Sequence, residues 1–148
     1  MKKQYYLLLL LSLMELGSCQ PKVVTPITDL LAKVWKAKTV QEGDLLVFSL
    51  GATTNIKPGY AGFRLDLSQP NKASLKDIDG RLVTGTWTVS TDNKRLILNN
   101  LNPKPTNTGG IIEYYILETP TEASLQLERT AESRKTGNTI DKYALIPE

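Results

Sequence analysis

The side chains that most often carry catalysis or metal binding are scarce in this chain. It has 148 residues, no histidine and a single cysteine, Cys19. Histidine-based triads, HExxH zinc sites and proximal-histidine haem sites are therefore excluded, and one cysteine forms neither an intrachain disulfide nor a cysteine-rich metal site. The remaining serines, lysines, tyrosines and carboxylates form no recognisable catalytic motif. We therefore expect a protein that is not an enzyme and that has no cofactor and no bound metal.

One acidic segment contains part of a calcium-binding pattern. Asp77-Ile78-Asp79-Gly80 supplies the first oxygen ligands of such a loop, but the later ligands and the terminal glutamate are missing. The same residues suit a hairpin, because Asp79-Gly80 favours a type I′ turn with positive φ at both central positions. The sequence therefore predicts a turn here and no metal site.

Four aromatic residues could bind a small apolar molecule. Trp35, Phe63, Trp87 and Tyr115 lie in segments where apolar and polar residues alternate, which places alternate side chains on one face of a strand. They would line a ligand cavity if the interior is hollow. Alternatively they fill the core, as aromatic side chains commonly do. Either role requires strands that curl around a common interior.

Glu113 lies between apolar residues, with Ile111 and Tyr115 on its own side of a predicted strand. An inward Glu113 would need a partner such as Arg64 or Arg129, or its pKa would rise. The alternative is an exposed carboxylate, which is the usual position for glutamate.

The N-terminus has the order of a lipoprotein signal sequence. Met1-Lys2-Lys3 is cationic, and an apolar run that is too short to span a bilayer precedes Leu16-Gly17-Ser18-Cys19. These four residues resemble the bacterial lipobox. The resemblance implies cleavage before Cys19 and acylation of its thiol, which would anchor the protein to a membrane. Gln20 replaces the aspartate associated with inner-membrane retention, so we expect the outer membrane, facing the periplasm.

The rest of the chain is long enough for one domain. We expect a signal peptide at 1–18, a tether at 19–27 and one domain at 28–148. The charge balance of 18 basic and 15 acidic residues, +3, does not suggest a nucleic-acid partner.

Short alternating runs separated by turn residues predict an all-β domain after one short helix, which Thr28 would cap. Two longer connections, 51–59 and 100–110, are rich in Asn, Thr, Gly and Pro and are expected to be binding loops or lids. Strands are predicted near 34–40, 44–50, 60–67, 72–78, 81–90, 94–99, 111–118, 122–129 and 139–146. The clearest alternation predicts one inner, dry face made of Ala61, Phe63, Leu65, Leu67, Val83, Gly85, Trp87, Val89, Leu125 and Leu127.

The order of four segments is distinctive. They are Leu31-x-x-x-Trp35, Phe63-x-Leu65-x-Leu67, Gly85-Thr86-Trp87-x-Val89 and Tyr143-x-Leu145-x-Pro147. Over about residues 28–147 this order resembles the small lipocalin-like lipoproteins of Bacteroidetes-type Gram-negative bacteria. The resemblance implies a lipocalin-like antiparallel meander barrel of eight or nine strands. It supplies no substrate or reaction.

The resemblance also predicts a position for Arg129. Lipocalin arginines lie across the first-strand tryptophan, so Arg129 could make a cation–π contact with Trp35 at the closed end of the barrel. The alternative is that the strand ends at Arg129 and leaves it solvated. Lys33 occupies the position at which true lipocalins have glycine.

Two functions remain open at this point. The first is non-enzymatic binding of a small apolar or amphipathic molecule by Trp35, Phe63, Trp87 and Tyr115, gated by the loops 51–59 and 100–110. It predicts a cavity of about 300 Å³ or more between those loops. The second is a protein-interaction or inhibitor module of the cell envelope, which predicts an apolar patch on the outside of the sheet.

Overall fold

A computed structural model of the chain describes residues 24–148. The predicted signal peptide, Cys19 and most of the tether lie outside this range. None of the helices in the described part has the length and apolar character needed to cross a bilayer. The elements are helix α1 (Ile27–Leu31), strands β1 (Val34–Glu42), β2 (Leu45–Ser49), β3 (Arg64–Asp66), β4 (Ala73–Lys76), β5 (Leu82–Val89), β6 (Arg95–Asn102), β7 (Ile112–Ile116), β8 (Leu125–Arg129) and β9 (Asp141–Pro147), and 3-10 helices at Pro58–Gly62 and Arg134–Thr136.

The nine strands form one antiparallel sheet that closes on itself. Each strand from β3 to β8 pairs with the next one along the chain, and β1 pairs with both β3 and β9. The β1–β9 pairing extends from Trp35 opposite Pro147 to Glu42 opposite Asp141. Eight strands therefore make a closed barrel, and β2 is an additional strand beside β1. The predicted all-β antiparallel barrel with a short N-terminal helix is confirmed.

Strands β2 and β3 lie end to end along the same edge of β1. Strand β2 pairs with the end of β1, and β3 pairs with its beginning. The chain between them folds back on β2: the Asn55 amide bonds the Ser49 N–H (2.7 Å) and C=O (3.2 Å), and the Lys57 N–H donates to the Val47 C=O (2.9 Å). Segment 50–63 thus satisfies backbone groups of β2 at Val47 and Ser49.

The predicted strand near 60–67 is shorter than expected. Its first part is a 3-10 helix that begins at Pro58, and only three residues form β3. Proline suits the first helical position because its missing N–H would have no partner there. As a result Ala61, expected to face inward, is exposed, whereas the preceding Tyr60 is fully buried.

Alternation along the other strands builds a single core inside the barrel. Side chains predicted to share the inner face are buried, and the residues between them are more exposed. This is the pattern of a sheet with one dry and one wet face. The predicted inward residues that are buried are Phe63, Leu65, Leu67, Val83, Trp87, Leu125 and Leu127.

The hairpin at Asp79-Gly80 is present, but the predicted type I′ turn is wrong. That turn needs positive φ at both central residues, and in this hairpin only Gly80 has it, at 73°. The Gly80 N–H donates to the Asp77 C=O at 2.9 Å, and the Asp77 N–H donates to the Arg81 C=O at 3.1 Å. A single left-handed glycine therefore closes a loop of three residues, 78–80, instead of the two-residue loop of a type I′ hairpin.

Helix α1 also begins differently from the prediction. Its N-cap is Pro26, and no side chain caps it; Thr28 lies inside the first turn. The Pro26 C=O accepts from the N–H groups of Asp29 (3.0 Å) and Leu30 (3.3 Å). The helix therefore begins on backbone hydrogen bonds alone.

Candidate functional site

The two ends of the barrel differ in what covers them. The lower end is defined here as the end where β1 begins and β9 ends, and the upper end is the opposite one. At the lower end α1 contacts the first strand, since the Trp35 Nε1–H donates to the Leu31 C=O at 3.0 Å and both residues are fully buried. The Lys33 ammonium lies 5.5 Å from the centre of the Trp35 ring, which is within cation–π range. The helix thus covers the lower end.

The middle of the barrel is filled by aromatic side chains. Tyr143 is at the centre of this cluster: it stacks on Phe63 at 5.1 Å between ring centres and meets Tyr60 and Tyr114 edge-on at 6.3 and 5.9 Å. Phe48 contacts Tyr60 at 6.3 Å. Burial raises the pKa of Tyr114 and of Tyr143, so both phenols stay neutral at ordinary pH. The middle of the barrel is therefore packed and not hollow.

Above this cluster, Glu42 is buried and bonded on both oxygens. The Tyr60 hydroxyl donates to Oε1 at 2.8 Å, and the Lys57 ammonium forms an ion pair with Oε2. Burial and the bond to Glu42 raise the pKa of Tyr60 well above its ordinary value. The 3-10 helix that carries Tyr60 is therefore tied to the end of β1.

Asp141, opposite Glu42 at the start of β9, is fully buried. Thr139 Oγ1 donates to its Oδ1 at 2.7 Å, and Thr136 Oγ1 donates to Oδ2 at 3.0 Å. Burial raises the pKa of Asp141, and the two hydroxyl bonds and the charge of Arg129 offset only part of this effect. No ion pair forms on Asp141 among residues 24–148.

A pocket of about 200 Å³ opens at the upper end. It lies between the β4–β5 turn, the β6–β7 loop and the β8–β9 connection, and will be called the upper pocket. Apolar walls come from strands β4, β5 and β7 and from the β6–β7 loop. The apolar lining residues are Leu75, Val83, Pro105 and Ile112, and the charged ones are Asp77, Arg81, Arg129, Glu132, Arg134 and Lys135.

Arg129 is the buried charged group of the upper pocket. It ends β8 on the inner face and is 9% exposed. Its Nε–H donates to the Ala131 C=O at 3.2 Å, whereas within residues 24–148 its two terminal nitrogens bond no protein group and are not sealed from solvent. Four of the six charged lining residues are basic, so the pocket favours an anion.

The rim of the upper pocket is connected by polar contacts between separate loops. With the Asn107 amide oxygen facing Arg134, that oxygen accepts from Nε at 2.8 Å and from Nη2 at 2.9 Å. Lys135 bonds Asp77 at 2.9 Å and Asp79 at 3.0 Å. Burial lowers the pKa of Lys135, but these two carboxylates outweigh it and raise the pKa overall. The β8–β9 connection is thus fastened to the other two.

The predicted ligand-binding residues are not brought together. Trp35, Phe63 and Trp87 are buried core residues, and Trp87 donates from Nε1 to the Gln69 C=O at 3.2 Å. Tyr115 is on the outer face and 46% exposed. Of the five, only Arg129 lines the upper pocket. The loop 100–110 contributes to it as expected, whereas 51–59 does not, and the volume is below the predicted 300 Å³.

Neither predicted environment of Arg129 is correct. It is not solvated, and it lies at the opposite end of the barrel from Trp35. The cation over the Trp35 ring is the ammonium of Lys33 and not Arg129. Glu113 is half-buried on the outer face and pairs with Arg95 of β6 at 3.4 Å. Its partner is neither Arg64 nor Arg129, because β7 places Glu113 outside the barrel.

The outer surface has larger but more open grooves. One of about 560 Å³ runs beside Gly85, lined mainly by serine, threonine and asparagine residues. Another of about 520 Å³ lies at the lower end beside the chain from Val24 to Leu30. Both are more open to solvent than the upper pocket, and neither contains a buried charged group. The upper pocket is therefore the better candidate.

Most of the upper pocket was missed by sequence reasoning because its lining comes from three connections distant along the chain. One signal was available. Arg129 continues the inward alternation of Leu125 and Leu127, so a charged side chain on the dry face of a strand marked the place.

Comparisons with known proteins give two structural neighbours. No protein-family model matches the chain, and no curated protein matches it. A lipocalin-like protein from Bacteroides uniformis has 16% sequence identity and a TM-score of 0.49, over 80% of this chain and 99% of that one. An uncharacterized protein from Bacteroides eggerthii has 11% identity and a TM-score of 0.47, over 79% and 98%.

Proposed function

We propose that this protein binds a small amphipathic molecule in the upper pocket, without catalysis. The observation that carries the proposal is the combination of apolar walls with the buried, incompletely bonded guanidinium of Arg129. Apolar walls beside a polar group that fixes the orientation of the ligand are typical of small-molecule sites. The upper pocket is thus more enclosed than the two outer grooves and contains a buried charged group that they lack.

Native mass spectrometry of protein purified from its own host tests this function. We expect a co-purifying small molecule that is lost or reduced in a variant with Val83→Trp, which fills the pocket from its apolar wall. Leu82→Trp is the matched control, since Leu82 is the exposed neighbour on the outer face. Protein that carries no ligand, and takes up none from a host extract, would contradict the proposal.

We further propose that the protein is a lipoprotein anchored through Cys19, in the outer membrane and facing the periplasm. The support is the order Leu16-Gly17-Ser18-Cys19 after a short apolar run. The change Cys19→Ser is expected to move the protein from the membrane to the soluble fraction, and Ser18→Ala, which keeps a small residue, should not. Retention of the Cys19→Ser protein in the membrane would contradict acylation.

A second candidate function is recognition of an envelope protein by the outer face of β7. Ile111, Tyr115 and Leu117 alternate on this face and are each 46–47% exposed. The double change Tyr115→Lys and Leu117→Lys should abolish capture of such a partner and leave small-molecule binding intact. Unchanged capture of the partner by this variant would contradict the second candidate function.

A further inference from the structure

We infer that the ligand of the upper pocket is a compact organic acid, whose carboxylate is bound by Arg129. The inference rests on the proposed function, because it names the chemical class of the molecule bound there. It requires a group that binds an anion, the absence of a competing carboxylate from the protein, and room for a small apolar body.

The anion-binding group is the guanidinium of Arg129. The side chain is nine-tenths buried, but its terminal nitrogens are not sealed from solvent, so their donors remain free for a ligand. Here only Nε–H is bonded, to the Ala131 C=O, while the terminal nitrogens border the pocket. The planar donor fork of arginine matches the two oxygens of a carboxylate. A carboxylate in the pocket would complete the hydrogen bonding of this side chain.

Of the acidic residues nearby, Glu132 lines the pocket but is exposed, and it forms no ion pair with Arg129 within residues 24–148. Asp141 receives hydrogen bonds from Thr136 and Thr139, and Asp77 binds Lys135. Neither forms an ion pair with Arg129 within residues 24–148. The site for an external anion is therefore not blocked by a carboxylate of the protein.

The volume and the walls limit the rest of the ligand. About 200 Å³ is less than the ~300 Å³ or more of the usual site for a drug-sized molecule. Leu75, Val83 and Ile112 provide apolar contact. Below them the buried rings of Tyr114 and Tyr143 close the interior. A ring or short branched chain fits this space, and a long acyl chain does not.

Three probes of the same shape and different charge test the inference: benzoate, benzamide and benzamidine. Calorimetric titration of the full protein in detergent gives affinities, and methyl NMR shifts of Leu75, Val83 and Ile112 locate the bound probe. We expect benzoate to bind at least about tenfold more tightly than benzamide, and benzamidine to be the weakest. Arg129→Met should remove the preference for benzoate, whereas Arg95→Met, on the outer face, should not.

The outcomes separate the two proposals. Equal binding of the three probes in the pocket would overturn the carboxylate inference and leave small-molecule binding standing. No binding of any probe at millimolar concentration would overturn the inference, and the ligand content of host-purified protein would decide the broader function. If Arg129→Met does not fold, the charge series on the unmodified protein still decides. Arg129→Lys, which keeps the charge but not the fork, should keep part of the preference for benzoate.

Discussion

At the scale of single residues, the upper end contains two buried carboxylates that are held in different ways. Glu42 receives an ammonium group and a phenol, so its charge faces an opposite charge. Asp141 receives only two hydroxyl groups. Burying an ionised group without an ion pair is costly. The contacts of Glu42 should therefore stabilise the fold, while ionisation of Asp141 should weaken it.

The contact between Tyr60 and Glu42 can be tested by removing one hydroxyl. We expect Tyr60→Phe to lower the free energy of unfolding by about 1–2 kcal/mol, because a buried carboxylate loses a donor. Urea unfolding measures the change. The control is Tyr115→Phe, on the exposed outer face, which should stay within about 0.5 kcal/mol of the unmodified protein. Equal effects of the two changes would contradict the assigned role of Tyr60.

Asp141 should make stability depend on pH in a defined direction. Its folded pKa is raised above its unfolded value, so the unfolded chain loses this proton first as pH rises. The carboxyl therefore destabilises the fold progressively from about pH 4 upwards, until the folded pKa is passed. We expect Asp141→Asn to remove this decline. The stability of the variant, measured relative to the unmodified protein, should therefore be higher at pH 7 than at pH 4.

Urea unfolding of both proteins across this range measures the difference. The control is Asp44→Asn, an exposed aspartate at the same end of the barrel, which should keep the pH profile of the unmodified protein. A constant difference between the Asp141→Asn and unmodified proteins at all pH values would show that burial of Asp141 does not cause the decline.

At the scale of elements, the register of β5 against β6 shifts at Gly85 for a steric reason. The pairing is irregular between Thr84 and Thr86, and a Cβ at Gly85 would lie 2.3 Å from the Asn99 carbonyl oxygen. Strand glycines often mark such a close backbone approach. The close approach therefore explains why a glycine is needed at position 85. Two residues later, Trp87 points into the barrel.

Replacing Gly85 with a residue that has a Cβ should therefore destabilise the fold. We expect Gly85→Ala to lower the free energy of unfolding by about 1–3 kcal/mol, because the carbonyl must move away from the new methyl group. Thermal and urea unfolding measure the change. Gly62→Ala is the matched control: nothing lies within 4 Å of its Cβ, and alanine there should be neutral or slightly stabilising. A neutral Gly85→Ala would contradict the steric explanation.

Periodicity predicted the strands well because each strand of a closed barrel has one dry and one wet face. It failed in 50–63, where Pro58 begins a 3-10 helix and Tyr60 enters the core out of phase with Phe63. It also failed at the turn types. At Asp79-Gly80 only Gly80 has positive φ, because the dipeptide alone does not specify how many residues the turn contains.

The site was less predictable than the strands because its residues meet only through closure of the barrel. Arg129 was identified as unusual, yet its neighbours come from the connections after β4, β6 and β8. Conversely, Trp35, Phe63 and Trp87 were recognised as inward residues, but local alternation cannot say whether an interior is filled. The packed aromatic cluster around Tyr143 depends on contacts across the whole barrel.

At the scale of the whole molecule, the N-terminus and the upper pocket are at opposite ends. Val24 and α1 are at the lower end, whereas the pocket lies beyond the last residues of β1. Eight residue steps of ~3.3 Å along β1, reduced by the usual strand tilt, separate the ends by about 20 Å. The five residue steps between Cys19 and Val24 can span at most about 18 Å. An anchor at Cys19 would therefore keep the lower end near the membrane.

This geometry predicts that the upper pocket of the anchored protein faces away from the bilayer. Fluorophores on Thr119→Cys and Thr106→Cys, exposed positions at the lower and upper ends, would report it in vesicles with quenchers on the lipid headgroups. We expect clear quenching at 119 and little at 106, because contact quenching does not reach ~20 Å. With Cys19→Ser neither position should be quenched. Stronger quenching at 106 would mean that the pocket faces the lipid, and that its ligand enters from the membrane instead of from water.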